Sequence, residues 1–227
     1  SPRNEVARFI LEDLDKAIDL LASRSKFSGQ RLNREAAFLF KSRVALYEGT
    51  FEKYHRNSGR VPGDSEWPGA NADYNSGKIF GIDGEIEFFL TEAIAAAEEV
   101  AGTAQLTSNN HVIEPTVGVT TGWNPYFEMY SQPSLANVTE VLLWKEYNSE
   151  LSVKHNAPYR CKIGCADGYT RTFVEAFLMK NGLPIYAENS GYQGDTSIDN
   201  AKKDRDERLQ LFVWGESTIC LLDTSDA

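Results

Sequence analysis

Residues 36–49 read AAFLFKSRVALYEG, and the segment runs without a break into TFEKY at 50–54. Ala37, Phe40, Val44, Tyr47 and Phe51 step by three, four, three and four. That spacing draws an apolar stripe along one side of an α-helix and holds Lys41, Arg43 and Glu48 away from it. Phe40 is expected to be buried in that stripe. Such a helix cannot cover its apolar side alone, so partners are sought in the flanking sequence.

Upstream, residues 4–22 (NEVARFILEDLDKAIDLLA) have a helical period, with Val6, Ile10, Leu14, Ala17 and Leu21 in line and Phe9 and Ile18 broadening the stripe. Glu5 suits the start of the helix dipole, and Glu12, Asp13 and Asp15 mark a wet face. SRSKFSGQR (23–31) is the turn, broken at Gly29. Asn33 is placed to cap a second helix over 33–54. Gly49 lies inside that helix at a cost of roughly 1 kcal/mol against Ala, which suggests close approach of another backbone. Residues 56–82 lose the period and fill with Gly, Pro, Asn, Asp and Ser. A loop this long points to function or disorder, and Trp67, Tyr74, Ile79 and Phe80 argue against disorder. Asp83 reads as the cap of a third helix over 84–101, with Ile86, Leu90, Ala93, Ala97 and Val100 in line, Leu90 buried, and Gly102 as its end.

Beyond 102 the pattern weakens. Residues 116–125 read as irregular or short strand, and 126–132 as a helical turn. Residues 138–148 read as a strand or buried run, 170–179 as a short helix, and 180–187 as a turn at Asn181-Gly182. Trp144 and Trp214 sit in apolar runs and are assigned to the core. The fold class is therefore mainly α: tetratricopeptide-like helical repeats over 1–101, interrupted by the 56–82 insertion, then an irregular or mixed region over 102–227.

The 227 residues suit one large domain or two small ones, at 41% hydrophobic and 25% charged. A net charge of −10 argues against nucleic acid or an anionic membrane surface as a direct partner, since phosphate binding needs concentrated Lys and Arg. No apolar run reaches the ~20 residues of a membrane span, and residues 1–25 do not read as a signal peptide. Ser1-Pro2 without Met implies processing or a portion of something longer. Cys161 and Cys165 are four apart and Cys220 is distant, a weak zinc signal; reduced thiols or one disulfide between two of them fit better.

FILEDLDKAIDLLAS, a polar turn and LNREAAFLFKSRVALYEGTFEKY resemble the helical-repeat signature of SusD/RagB-type outer-membrane proteins of Bacteroidota. YFEMYSQPSLANVTEVLLWKEYN is similar to a further family segment through Tyr126, Tyr130, Glu140 and Val141. GYTRTFVEAFLMKNGLPI matches another through Thr170, Val174, Gly182, Leu183, Pro184 and Ile185; KDRDERL matches a last through Arg205, Asp206, Arg208 and Leu209. Tyr169, Arg171, Glu175 and Glu207 depart from the family's usual residues. The resemblance implies an internal portion of a longer, lipid-anchored protein on the extracellular face of the outer membrane. It implies capture of a nutrient, usually a glycan, and its delivery to a TonB-dependent transporter of the SusC type, without catalysis or cofactor.

Sugar binding needs flat aromatic faces for the C–H side of pyranose rings and polar side chains for the hydroxyls. Two loops offer both: W67-P-G-A-N-A-D-Y74, with Trp67, Asn71 and Tyr74, and T120-T-G-W-N-P-Y126, with Trp123, Asn124 and Tyr126. The competing assignment for each aromatic is packing of its loop onto the helices. There is no His-Glu-x-x-His, Gly-x-Ser-x-Gly, P-loop or Gly-x-Gly-x-x-Gly, and His55, His111 and His155 lack ligand spacing. Asp195, Asp199, Asp204 and Asp206 lack the order of a calcium loop and read as a solvated acidic turn.

Overall fold

The structure, a computed structural model, describes residues 1–157, 160 and 168–218. All three cysteines, and the expectations for their thiols, lie outside the described residues. The chain forms two compact units: Ser1–Leu106 with Ser134–Glu146, and Thr107–Pro133 with Tyr147–Ala227. Segment 134–146, grouped with 102–227 from the sequence, thus belongs to the helical unit.

Three long helices build the first unit: α1 (Arg3–Leu20), α2 (Arg34–His55) and α3 (Ile82–Ala101). Each lies within two residues of the range its periodicity predicts. Asn33 caps α2: its side-chain oxygen accepts from Ala36 N at 2.9 Å. Asp83 does not cap α3, which starts one residue earlier behind Gly81; Asp83 pairs instead with Arg56. The core gathers Ala7 and Leu11 of α1, Ala45 of α2, and Phe89 and Ala93 of α3, with Val44 and Phe88 against it.

The buried faces differ from those expected. On α2 the inward residues are Ala37, Lys41, Ala45, Glu48, Gly49 and Glu52. Phe40 is 55% exposed and Tyr47 is 66% exposed. On α1, Ala7, Leu11 and Ile18 point inward while Val6, Phe9 and Ile10 are exposed; on α3 Phe89 and Ala96 are buried, Leu90 half-buried and Ala97 exposed. Helix α2 carries two stripes of helical spacing, one aromatic and one small and charged. The second turns inward because its small residues let α3 approach and its Lys41 and Glu48 find partners. Lys41 Nζ lies 2.7 Å from both Asp15 of α1 and Glu92 of α3. Glu48 accepts both bonds of the Arg3 guanidinium, at 2.8 and 2.7 Å. A β-carbon at Gly49 would lie 3.0 Å from Leu90 Cδ2 and 3.2 Å from Phe89 Cβ. The close approach suggested by this glycine is therefore that of α3.

The first part of the loop over 56–81 is ordered by one carboxylate. Asp64 accepts from the backbone N–H groups of Asn57, Gly59 and Val61 at 2.9, 3.1 and 3.3 Å, and Val61 and Pro62 are buried. Segment 134–146 is held by Arg24, whose guanidinium donates to the carbonyls of Leu135, Ala136, Val138 and Val141 at 2.9–3.2 Å. Trp144 is buried, its indole N–H donating to Ser28 O at 2.7 Å. Gly29 beside it has φ +79°, and a β-carbon there would meet Trp144 Cδ1 at 3.0 Å.

The second unit is built from short helices: α4 (Pro125–Met129), α5 (Arg171–Ala176), α6 (Ile198–Lys202) and α7 (Glu207–Phe212). Asn124, Thr170, Ser197 and Asp206 cap them through side-chain oxygens, which supplies the orphan N–H groups of such short elements. Arg205 is fully buried and donates to the carbonyls of Ala201, Val174 and Phe177 at 2.9, 2.7 and 2.7 Å. It binds the end of α5 to α6 and α7. The described residues contain no strand, only isolated bridges Asn148–Val153 and Met179–Arg205. Of the alternatives read from the sequence, 116–125 is therefore irregular, and 138–148 is a run with Leu142 and Trp144 buried and not a strand. Trp214 is 51% exposed and lies outside the core assigned to it.

Candidate functional site: an aromatic and polar cleft

Two adjoining hollows of the second unit share Tyr126 and Arg208. One is aromatic, about 440 Å³, walled by Tyr126, Tyr130, Tyr169, Phe173, Phe177 and Phe212. The other is polar, about 640 Å³, with Asn109, Lys180, Arg205, Asp206, Glu207 and Arg208 among its lining residues. The aromatic wall is ordered ring on ring. Phe212 at the end of α7 meets Phe127 (5.4 Å, stacked), Tyr126 (6.2 Å) and Tyr130 (5.0 Å, edge-on). Tyr169 and Phe173 stack at 5.4 Å and are each about half exposed, so they offer a flat surface to solvent.

Charge in the polar hollow is largely internally balanced. Arg208 forms two bonds with Asp206, at 2.9 and 2.5 Å. The side-chain bond to Arg208 holds the Asp206 carboxyl below its ordinary pKa, and the same bond raises that of Arg208. Burial lowers the pKa of Arg205. Glu207 accepts from Asn109 at 2.7 Å and contacts His111 Nδ1 at 2.8 Å. The exposed Lys180 ammonium and the Tyr126 hydroxyl complete the polar rim. These groups can exchange hydrogen bonds with hydroxyls or carboxylates of a ligand lying against the rings.

Of the six residues singled out from the sequence, Tyr126 lies in this cleft. Trp123 is 8% exposed and rests on Phe127 at 4.7 Å. Asn124 is fully buried: it caps Phe127 N at 3.1 Å and donates to Asn109 Oδ1 and Val112 O at 2.9 and 2.8 Å. Asn124 has no face left for a ligand, and the Trp123 ring is covered, which corrects the expectation of an open Trp123 platform. In the first unit, Trp67 is half-buried and edge-on to Phe80 at 5.2 Å, while Asn71 and Tyr74 are exposed. The clustered acidic residues are engaged locally: Asp195 with Arg171, Asp199 with Ser217 N, and Asp206 with Arg208. Sequence reasoning missed Tyr169, Phe173, Phe212 and Arg208 as wall residues. The stretch 170–179 that carries Phe173 and Phe177 reads in the sequence only as a short helix.

Comparison of the chain with family models, curated proteins and solved structures returned no match. Among the described residues no helix is long and apolar enough to cross a membrane.

Proposed function

We propose that this chain is the ligand-capturing portion of a SusD/RagB-type, non-catalytic nutrient-binding subunit. Its ligand is a glycan, which it hands to a SusC-type TonB-dependent transporter at the extracellular face of the outer membrane. Attachment to the membrane is through a lipid anchor outside these residues. The helical hairpin α1–α2, followed by α3 across the 56–82 insertion, is read as a tetratricopeptide-like repeat array.

The observation that carries this reading is the cleft. Three segments that resemble the family separately, around Tyr126, around Thr170–Ile185 and around Arg205–Leu209, line the two adjoining hollows. One is aromatic and the other polar, together the composition a sugar requires. The test is retention of the chain in gels containing soluble polysaccharides, followed by titration calorimetry with whichever glycan retains it. Phe173→Ala should weaken binding by about 1–2 kcal/mol with an unchanged Tm, because Phe173 is half exposed. The glycan should leave with its chain length unchanged. Absence of binding to every glycan, binding indifferent to Phe173 and Tyr126, or release of shortened product would each overturn the proposal.

A further inference from the structure

Helices α1 and α2 share an apolar face that no described residue covers. Arg3, in the first turn of α1, stacks on the Phe51 ring at 3.4 Å, and Asp15 pairs with Lys41 at 2.7 Å. The two helices therefore run antiparallel with Arg3 beside Phe51. From Arg3 the same side of α1 continues through Val6 and Ile10 at helical spacing; from Phe51 the same side of α2 runs back through Tyr47 and Phe40. The two rows border each other, and Val6, Ile10, Phe40 and Tyr47 are 45%, 36%, 55% and 66% exposed.

Beside this face stand one basic side chain on α2 and one acidic side chain on α1. Of the exposed basic residues of α2, Arg34, Arg43 and Lys53, it is Arg43 that lies on the side of Tyr47 and Phe40 by helical spacing. The acidic residues of α2 are withdrawn, Glu48 and Glu52 into the interior and Glu35 onto Arg24 N at 2.8 Å. Arg34 and Arg43 form no ion pair among the described residues. Of the exposed acidic residues of α1, Asp13 lies on the side of Val6 and Ile10 and pairs with Lys16 at 3.0 Å, whereas Glu12, Asp15 and Asp19 lie on the other side by helical spacing, Asp15 bound to Lys41. An anionic lipid surface would be repelled by α1. A surface that matches both borders must be apolar along its centre, acidic where it meets α2 and basic where it meets α1. The same hairpin of a second copy, turned about a twofold axis, is such a surface.

We propose that this face is a self-association surface: two copies pack hairpin on hairpin, α1 of each over α2 of the other, with Asp13 of one copy facing Arg43 of its partner. The twofold makes the contact twice and closes the assembly at two chains.

The experiment is sedimentation velocity and light scattering on the whole chain over a wide concentration range. Expected is a reversible dimer. Arg43→Glu and Asp13→Lys should each raise the dissociation constant about tenfold or more, since each places like charges together twice. An equimolar mixture of the two variants should restore dimers, because every contact between unlike chains is again complementary. Phe40→Ser should abolish the dimer and leave the monomer folded with an unchanged helical circular dichroism spectrum, as the side chain is exposed in the monomer. A monomer at all concentrations, growth beyond two chains, a dimer indifferent to Phe40→Ser, or a variant mixture no tighter than either variant alone would overturn the proposal. The charge variants decide the matter even if Phe40→Ser disturbs folding.

Discussion

Glu52 is 1% exposed, and neither of its carboxyl oxygens has a hydrogen-bond partner among the described residues. Burial pushes its pKa up to about 8 from 4.5; the charges of Glu48 and Glu85 push the same way, against Arg3. Below pH 4.5 the folded and unfolded chains both hold the proton. Between the two values only the folded chain keeps it, so stability falls as pH rises and levels off once pH passes about 8. The loss amounts to about 5 kcal/mol. Glu52→Gln removes the titration, so it should flatten this slope and stabilise the protein above pH 8, which urea midpoints at several pH values will show. A wild-type midpoint that rises across this range would contradict the assignment. Trp123 gives a second prediction of this scale. Its indole is packed, so Trp123→Ala should cost about 3–5 kcal/mol, while any folded fraction keeps its ligand affinity. Weaker binding at unchanged Tm would return Trp123 to the site.

At the scale of elements, α2 shows what periodicity can and cannot tell. The helix, its extent and its Asn33 cap are legible in the chain because they follow from local spacing and a local hydrogen bond. The buried face is not, since two stripes share the spacing. The charged stripe faces inward because Asp15, Glu92 and Arg3 come from other helices, and nothing in residues 34–55 announces them. Gly49→Val tests this orientation. If the Gly49 side meets α3, the substitution should cost about 1–3 kcal/mol through overpacking on Leu90 and Phe89. A neutral change would place that side in solvent. Arg24 tests the attachment of 134–146. Arg24→Lys keeps the charge but loses the planar fork that serves four carbonyls, so a loss of about 2 kcal/mol is expected. Hydrogen exchange should speed up in 134–146 and not in α3.

For the molecule as a whole, four tryptophans report on both units. Trp123 and Trp144 are buried, Trp67 is half-buried and Trp214 is 51% exposed. Iodide should quench one part of the emission and leave another until unfolding, and Trp214→Phe should remove most of the quenchable part. Full quenching of the native protein would refute the packing of Trp123 and Trp144. The cleft is likewise a property of the whole second unit. Tyr126 was legible as an aromatic in a loop rich in turn residues. Its partners Phe173, Arg208 and Phe212 lie tens of residues away and were not. By itself the sequence determined the three long helices, most of their bounds, the turn residues between them and the mainly α class, because each depends on neighbours within a few positions. Only the tertiary structure decided which helix faces are buried, that Trp123 and Asn124 are packed and capped inside, and that Tyr126 stands in a cleft. Those outcomes depend on which distant charges and rings meet, and the spacing of apolar residues carries no record of that.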